Sequence, residues 1–82
     1  MRDSQKFNQR VVMETRALRR RMGANIHAAR ARRGWSLNKA ASHAGMSVEA
    51  VDRIELGKGD MDLREIIRLC LAMGVGVEWL TV

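Results

Sequence analysis

Residues 36 to 57 read Ser36-Leu-Asn-Lys-Ala-Ala-Ser-His-Ala-Gly-Met-Ser-Val-Glu-Ala-Val-Asp-Arg-Ile-Glu-Leu-Gly57, and this stretch decides the fold. It holds two short helical patterns on either side of Gly45. Ser36 supplies a side-chain oxygen that caps the first helix, whose inward positions Leu37, Ala40, Ala41 and Ala44 recur at helical spacing. Gly45 breaks the chain, Met46 follows, and Ser47 caps a second helix with Val51 and Ile54 inward. Ala41, four positions before the glycine, is small enough to let the two helices cross closely. Met46, Val51 and Ile54 are apolar where the second helix must seat on the first, while Val48, Glu49, Asp52, Arg53 and Leu56 point elsewhere. Such a pairing projects the second helix outward, as a helix that enters the major groove of duplex DNA requires.

Upstream, an apolar stripe at Val11, Thr15, Leu18, Met22, Ile26 and Ala29 repeats every three or four residues and puts one helical face inward. Gly23 interrupts it, so the segment is either one long kinked helix or an extra helix joined to the first helix of the domain. Met1 to about Asn8 lack an apolar pattern and read as a frayed arm. Gly34 ends the helix, with Arg30, Arg32 and Arg33 at the end of its dipole that favours cations. Downstream, Gly57 and Gly59 close the reading helix, and Asp62 with Glu65 three residues on resembles a capping box. The helix that follows carries Leu63, Ile66, Ile67, Cys70, Leu71 and Met73. Gly74 ends it, and Val77 to Leu80 form a last short turn with Trp79. Strand-like alternation is absent, and the chain has neither proline nor tyrosine, which favours helix over sheet.

Eighty-two residues allow one domain with a modest core. The net charge of +6 is unevenly spread: Met1 to Arg33 carry ten Lys and Arg against two acids, and Gly34 to Val82 carry five against seven. A grip on phosphate must therefore lean on the first third of the chain; the plainer alternative is a solvated basic helix. The polar, basic start lacks the apolar stretch of a secretory signal, and no run is long enough for a membrane span. The lone cysteine, Cys70, forms no internal disulfide and reads as a small core residue, so the cytoplasm is the expected compartment. His27 and His43 have no acidic or thiol companions at metal-ligand spacing, and no serine or cysteine has a base and orienting acid at recognisable spacing. Gly57-Lys-Gly59 is a turn rather than a nucleotide loop. No enzyme activity, metal or cofactor is expected.

The residues resemble the Cro/phage-repressor-type (XRE-like) helix-turn-helix DNA-binding domains from about Met22 to Leu80. Ile26 and Arg30 fall on that family's first-helix positions. Ala41, Gly45, Ser47, Val51, Ile54, Glu55 and Gly57 fall on its motif, and Gly74-Val-Gly-Val-Glu-Trp-Leu80 resembles its closing segment. The resemblance implies an all-α, compact five-helix lambda-repressor-like DNA-binding domain at residues 22–82, with the motif at about 37–56. Residues 1–21 are then a basic N-terminal arm, or an extra or extended helix. It further implies DNA contacts from Ser36, Lys39, Ser47, Val48, Glu49, Arg53 and Lys58, and an internal ion pair between Arg30 and Glu55. A homodimer contact is implied at Met61, Val75, Val77, Leu80 and Val82. Arg16, Arg19, Arg20 and Arg21 could add phosphate contacts, and Val11, Val12, Leu18 and Met22 form either a dimer-stabilising helix or a face packed on their own domain.

This sequence also departs from the family. Leu37 replaces the polar residue, commonly Gln, that holds a phosphate. Ala40 stands where a larger apolar residue is usual, a space open to Trp35 or to the N-terminal helix. Glu49 and Asp52 put carboxylates on the reading face beside Arg53 alone. The leading expectation is a small sequence-specific regulator, a repressor by default, acting on double-stranded DNA as a homodimer. The alternative is a protein-interaction module on the same fold with only non-specific DNA affinity; attachment of the Arg-rich helix to a membrane surface is weaker still, its apolar face being thin.

Overall fold

A chain without proline has nothing to stop a helix except glycine and local caps, and the first helix shows how far that reaches. The computed structural model describes residues 2–81, and α1 runs without a break over Arg2–Arg32. Of the two forms left open at Gly23, one long helix is the one found, and the arm expected to fray over the first eight residues is helical from Arg2. A single glycine in a helix costs only about 1 kcal/mol relative to alanine, which the packing around it offsets. Gly23 itself is buried, and a Cβ built on it would press on the backbone carbonyl oxygens of Ile54 and Glu55, the latter 2.6 Å away. The glycine is thus the place where the end of another helix lies directly on the α1 backbone.

That other helix belongs to a set of three that follow: α2 over Leu37–Ala44, α3 over Val48–Glu55 and α4 over Leu63–Met73, with a closing 3-10 helix over Val77–Thr81. The described residues are all-helical, with four α-helices rather than five. The last element is a 3-10 turn, and the N-terminal extension is part of α1. α1 is about 46 Å long at 1.5 Å per residue, and it sets the 48 Å long axis of the molecule.

The core joins Ile26 and Ala29 of α1, Ala40, Ala41 and Ala44 of α2, and Val51 and Ile54 of α3 to Ile66, Leu69, Cys70 and Met73 of α4, closed by Leu80. The α4 face 66, 69, 70, 73 follows the one-turn spacing of a buried stripe. Leu69 was missed because Leu63, Ile67 and Leu71, equally apolar, drew the pattern onto a second face, and these three are exposed. Val11, Thr15 and Leu18 are also exposed: Thr15 and Leu18 stand at the edge of a groove lined by Asp60, Met61, Leu63 and Ile66, and Val11 lies farther out along α1. Leu80, expected at a subunit contact, has no exposed surface, and its carbonyl accepts a 2.6 Å hydrogen bond from Asn25 Nδ2. Its side chain fills the core and is not available to a second copy. Val82 lies outside the described residues.

Two arginines from the end of α1 hold the far side. Arg33 Nε donates to the Met73 carbonyl at the end of α4 at 2.8 Å, and the Arg32 guanidinium lies 4.9 Å from the Trp79 ring centre. At the start of α4, Asp62 accepts from the Arg64 N–H at 2.8 Å, while Glu65 turns to Arg53, so the reciprocal capping box does not form.

The contact at Gly23 makes a specific prediction. Gly23→Ala should raise intrinsic helix propensity by about 1 kcal/mol, yet lower net stability by about 1–3 kcal/mol because the methyl group meets backbone that cannot rotate away. A urea unfolding midpoint above that of the parent chain would show that the two helices do not approach so closely.

Candidate nucleic-acid interface

Gly45 adopts the left-handed conformation, φ 68° and ψ 40°, that lets the chain reverse between α2 and α3. The Met46 N–H returns to the Ala41 carbonyl at 2.9 Å, closing the end of α2. Ser36 Oγ accepts from the Lys39 N–H and Ser47 Oγ from the Ala50 N–H, each at 3.1 Å. Both serines are therefore N-caps first, and each hydroxyl keeps its proton to donate, for example to a phosphate oxygen. With Val51 and Ile54 buried, α3 turns Glu49 and Asp52 fully outward, with Val48 half-buried beside them and Leu56 exposed just past its end. Glu49 lies in the first turn of α3, where the helix dipole favours a carboxylate.

Glu55, the last residue of α3, fixes how that helix is presented. Its side chain is 5% exposed and receives Arg30 Nε on Oε2 at 2.6 Å and Arg30 Nη2 on Oε1 at 2.9 Å. The third arm of Arg30, Nη1, donates to the Trp35 carbonyl at 2.9 Å, so one guanidinium ties α1, α3 and the α1–α2 connection. His27 Nδ1, one turn before Arg30, lies 2.9 Å from Glu55 Oε1. Sequence reading missed His27; the signal was its i, i+3 relation to Arg30. Burial pushes the Glu55 carboxyl up, but hydrogen bonds from Arg30 and His27 and their charge outweigh it and leave the carboxyl below its ordinary range. Arg30 is raised in turn, chiefly by its hydrogen bond to Glu55.

The other expected contact residues divide. Arg53 is not free: Nη1 donates to the Asp60 carbonyl at 3.0 Å, and Nη2 lies 3.1 and 3.3 Å from the two Glu65 oxygens. It closes the loop between α3 and α4 and would have to leave Glu65 to fork onto a base. Lys58, in that loop, is exposed, as are Arg16, Arg20 and Arg21 on α1. Arg19 is half-buried with its Nε unpartnered, beside Leu18, Met22, Asp60 and Met61. Lys39 holds its ammonium 5.6 Å from the Trp35 ring centre. Trp35 stacks on His43 at 4.6 Å and 16°, with Arg33 5.0 Å from its ring centre. Leu37 packs against the core, so the phosphate-holding group expected at that position is replaced by apolar contact. Met61 and Val75 are half-buried and Val77 is exposed. Cys70 is buried, which pushes its thiol up. Among the described residues there is no cluster of His, Cys, Asp and Glu able to hold a metal ion, and no helix long and apolar enough to cross a membrane.

A capped helix pair with its second helix turned outward and locked to α1 by a buried ion pair defines a helix-turn-helix protein. The helix-turn-helix domain family matches residues 16–80, and the chain belongs to it: it is a DNA-binding regulator of transcription. In fold it is similar to the restriction-modification controller protein C.AhdI from Aeromonas hydrophila, with a TM-score of 0.74 and 23% identity. That similarity covers 78% of this chain and 97% of the other. No curated protein matches the sequence.

Removing one partner of the buried pair tests how much depends on it. Arg30→Ala should cost about 3–5 kcal/mol, because it strands a carboxylate that has left water; thermal or urea unfolding reads this directly. Because Glu55 is held below its unfolded value of about 4.3, its contribution is complete above that pH and is lost as pH falls through the folded value. Glu55→Gln should therefore flatten the acid limb of the stability profile below about pH 4. An acid limb identical to that of the parent would place the titrating group elsewhere.

Proposed function

We propose that this protein is a sequence-specific regulator that binds double-stranded DNA as a homodimer and represses transcription by occluding its site. The observation that carries the reading is the outward face of α3, held in a single orientation by the Arg30–Glu55 pair and the two serine caps. Val48 packs on a thymine methyl and Glu49 accepts from a cytosine amino group. Ser36, Ser47, Lys39, Lys58, Arg19 and Arg20 contact phosphate and set the register, and the basic segment at residues 1–21 adds to their pull. Arg53 serves as a base-reading residue only if binding draws it from Glu65. Met61, Val75 and Val77 form the contact between subunits, which presents two α3 helices to half-sites about one turn of duplex, ~34 Å, apart. The fold likeness to a controller protein fits a regulator of this size.

A second reading has its own observation. Glu49 and Asp52 both stand exposed on α3, and carboxylates repel phosphate. On this reading α3 docks on a basic protein surface, and DNA is held only loosely by α1.

Selection from a randomised duplex pool near physiological salt separates the two. Enrichment of a two-fold symmetric site is the expected result, and retention of duplex without any enriched site would overturn sequence-specific binding. Lys39→Ala and Lys58→Ala should each reduce the log–log salt slope by about 0.9 without changing the selected sequence. Glu49→Gln should change the preferred base at one position of each half-site.

A further inference from the structure

The DNA-binding reading takes only the positive charge of the N-terminal half of α1 and makes no use of its apolar positions. Residues 3 to 18 are exposed throughout, including Phe7 at 67% and Met13 at 68%, and residues before 16 lie outside the match to the helix-turn-helix family. The helical face that beds onto the domain at Met22, Ile26 and Ala29 continues outward: Thr15 and Leu18 border a groove with Asp60, Met61 and Leu63, and Val11 and Phe7 beyond them are exposed. A helical segment without tertiary packing is marginal in water, and a partner that covers this face would stabilise it.

We propose that residues 3–21 of α1 pair antiparallel with the same segment of a second copy of this chain. Phe7, Val11, Glu14, Leu18 and Arg21 follow the alternating four- and three-residue spacing of a two-stranded seam. A parallel pairing would set Glu14 against Glu14 and Arg21 against Arg21, like charges at the seam. The antiparallel pairing sets Phe7 on Leu18 of the second copy. It also brings Glu14 beside Arg10, and Arg21 beside Asp3, so each acid of the segment meets a base. The apolar residues and the order of the charges select the same orientation. This surface is separate from Met61, Val75 and Val77, so the contact does not depend on the DNA-binding reading.

Sedimentation equilibrium on the full chain tests it. Phe7→Glu with Val11→Glu, both at exposed positions outside the core, should reduce the mass of the assembly to about half that of the parent, with helical circular dichroism of the domain and any duplex site preference retained. An unchanged mass overturns the proposal, as does a halving produced by Leu71→Glu on α4 instead. Orientation is read from spin labels on Ser4→Cys. The antiparallel register places Ser4 opposite Arg21 and the two labels ~25 Å apart along the seam, whereas labels in close contact would mean a parallel pair and overturn the register.

Discussion

Glu55 closes α3 at the end where the helix dipole is already negative, and its carboxylate is almost entirely withdrawn from water. An unpartnered charge there would be among the most unfavourable features in a domain of this size. Arg30 reverses that by meeting both carboxylate oxygens and a backbone carbonyl with one rigid, planar group. Three pieces of chain are joined at this point: α1, the end of the outward helix, and the connection at Trp35 from which Ser36 starts α2. Gly23 allows the same approach sterically, because the backbone at Ile54 and Glu55 lies where any side chain would stand. A buried pair of this kind contributes modestly to net stability compared with apolar packing; its geometric demand is what fixes α3 in one orientation.

The basic residues do two different jobs. Arg30, Arg32 and Arg33 are spent inside the domain, on a carboxylate, a tryptophan ring and the end of α4. Arg16, Arg20, Arg21 and Lys58 stay in solvent and supply the long-range attraction that a polyanion would feel. The outward face of α3 is acidic and apolar, with its one arginine held by Glu65. The exposed positive charge at Arg16, Arg20, Arg21 and Lys58 is thus separated in the fold from the acidic and apolar outward face of α3.

The length of α1 has a similar division. From Met22 onward its apolar positions are covered by the domain, and before Leu18 they are open. Helical periodicity is the same in both halves, so the pattern by itself reports a helix with an apolar face and does not report what lies against that face.

Much of the architecture was legible in the sequence because it depends on local chemistry. Serine before a helix caps it, glycine past its end turns the chain, and one-turn spacing of Ala40, Ala44, Val51, Ile54, Ile66 and Met73 marks the inward faces. The expected Arg30 and Glu55 positions are joined in the structure, although no local rule pairs residues 25 apart; they came from the resemblance to a family. Local rules failed where two partners compete for one group. Glu65 has the spacing of a capping residue but meets Arg53, Leu80 was expected at a subunit contact but fills the core, and Gly23 interrupts the apolar stripe but is a crossing point. By itself the sequence determined the helices, their caps and the outward face of α3, since those follow from neighbours within a turn. Which cations remained in solvent, which apolar faces stayed open, and whether Arg53 was free were decided only by tertiary structure, because each depends on groups brought together from distant parts of the chain.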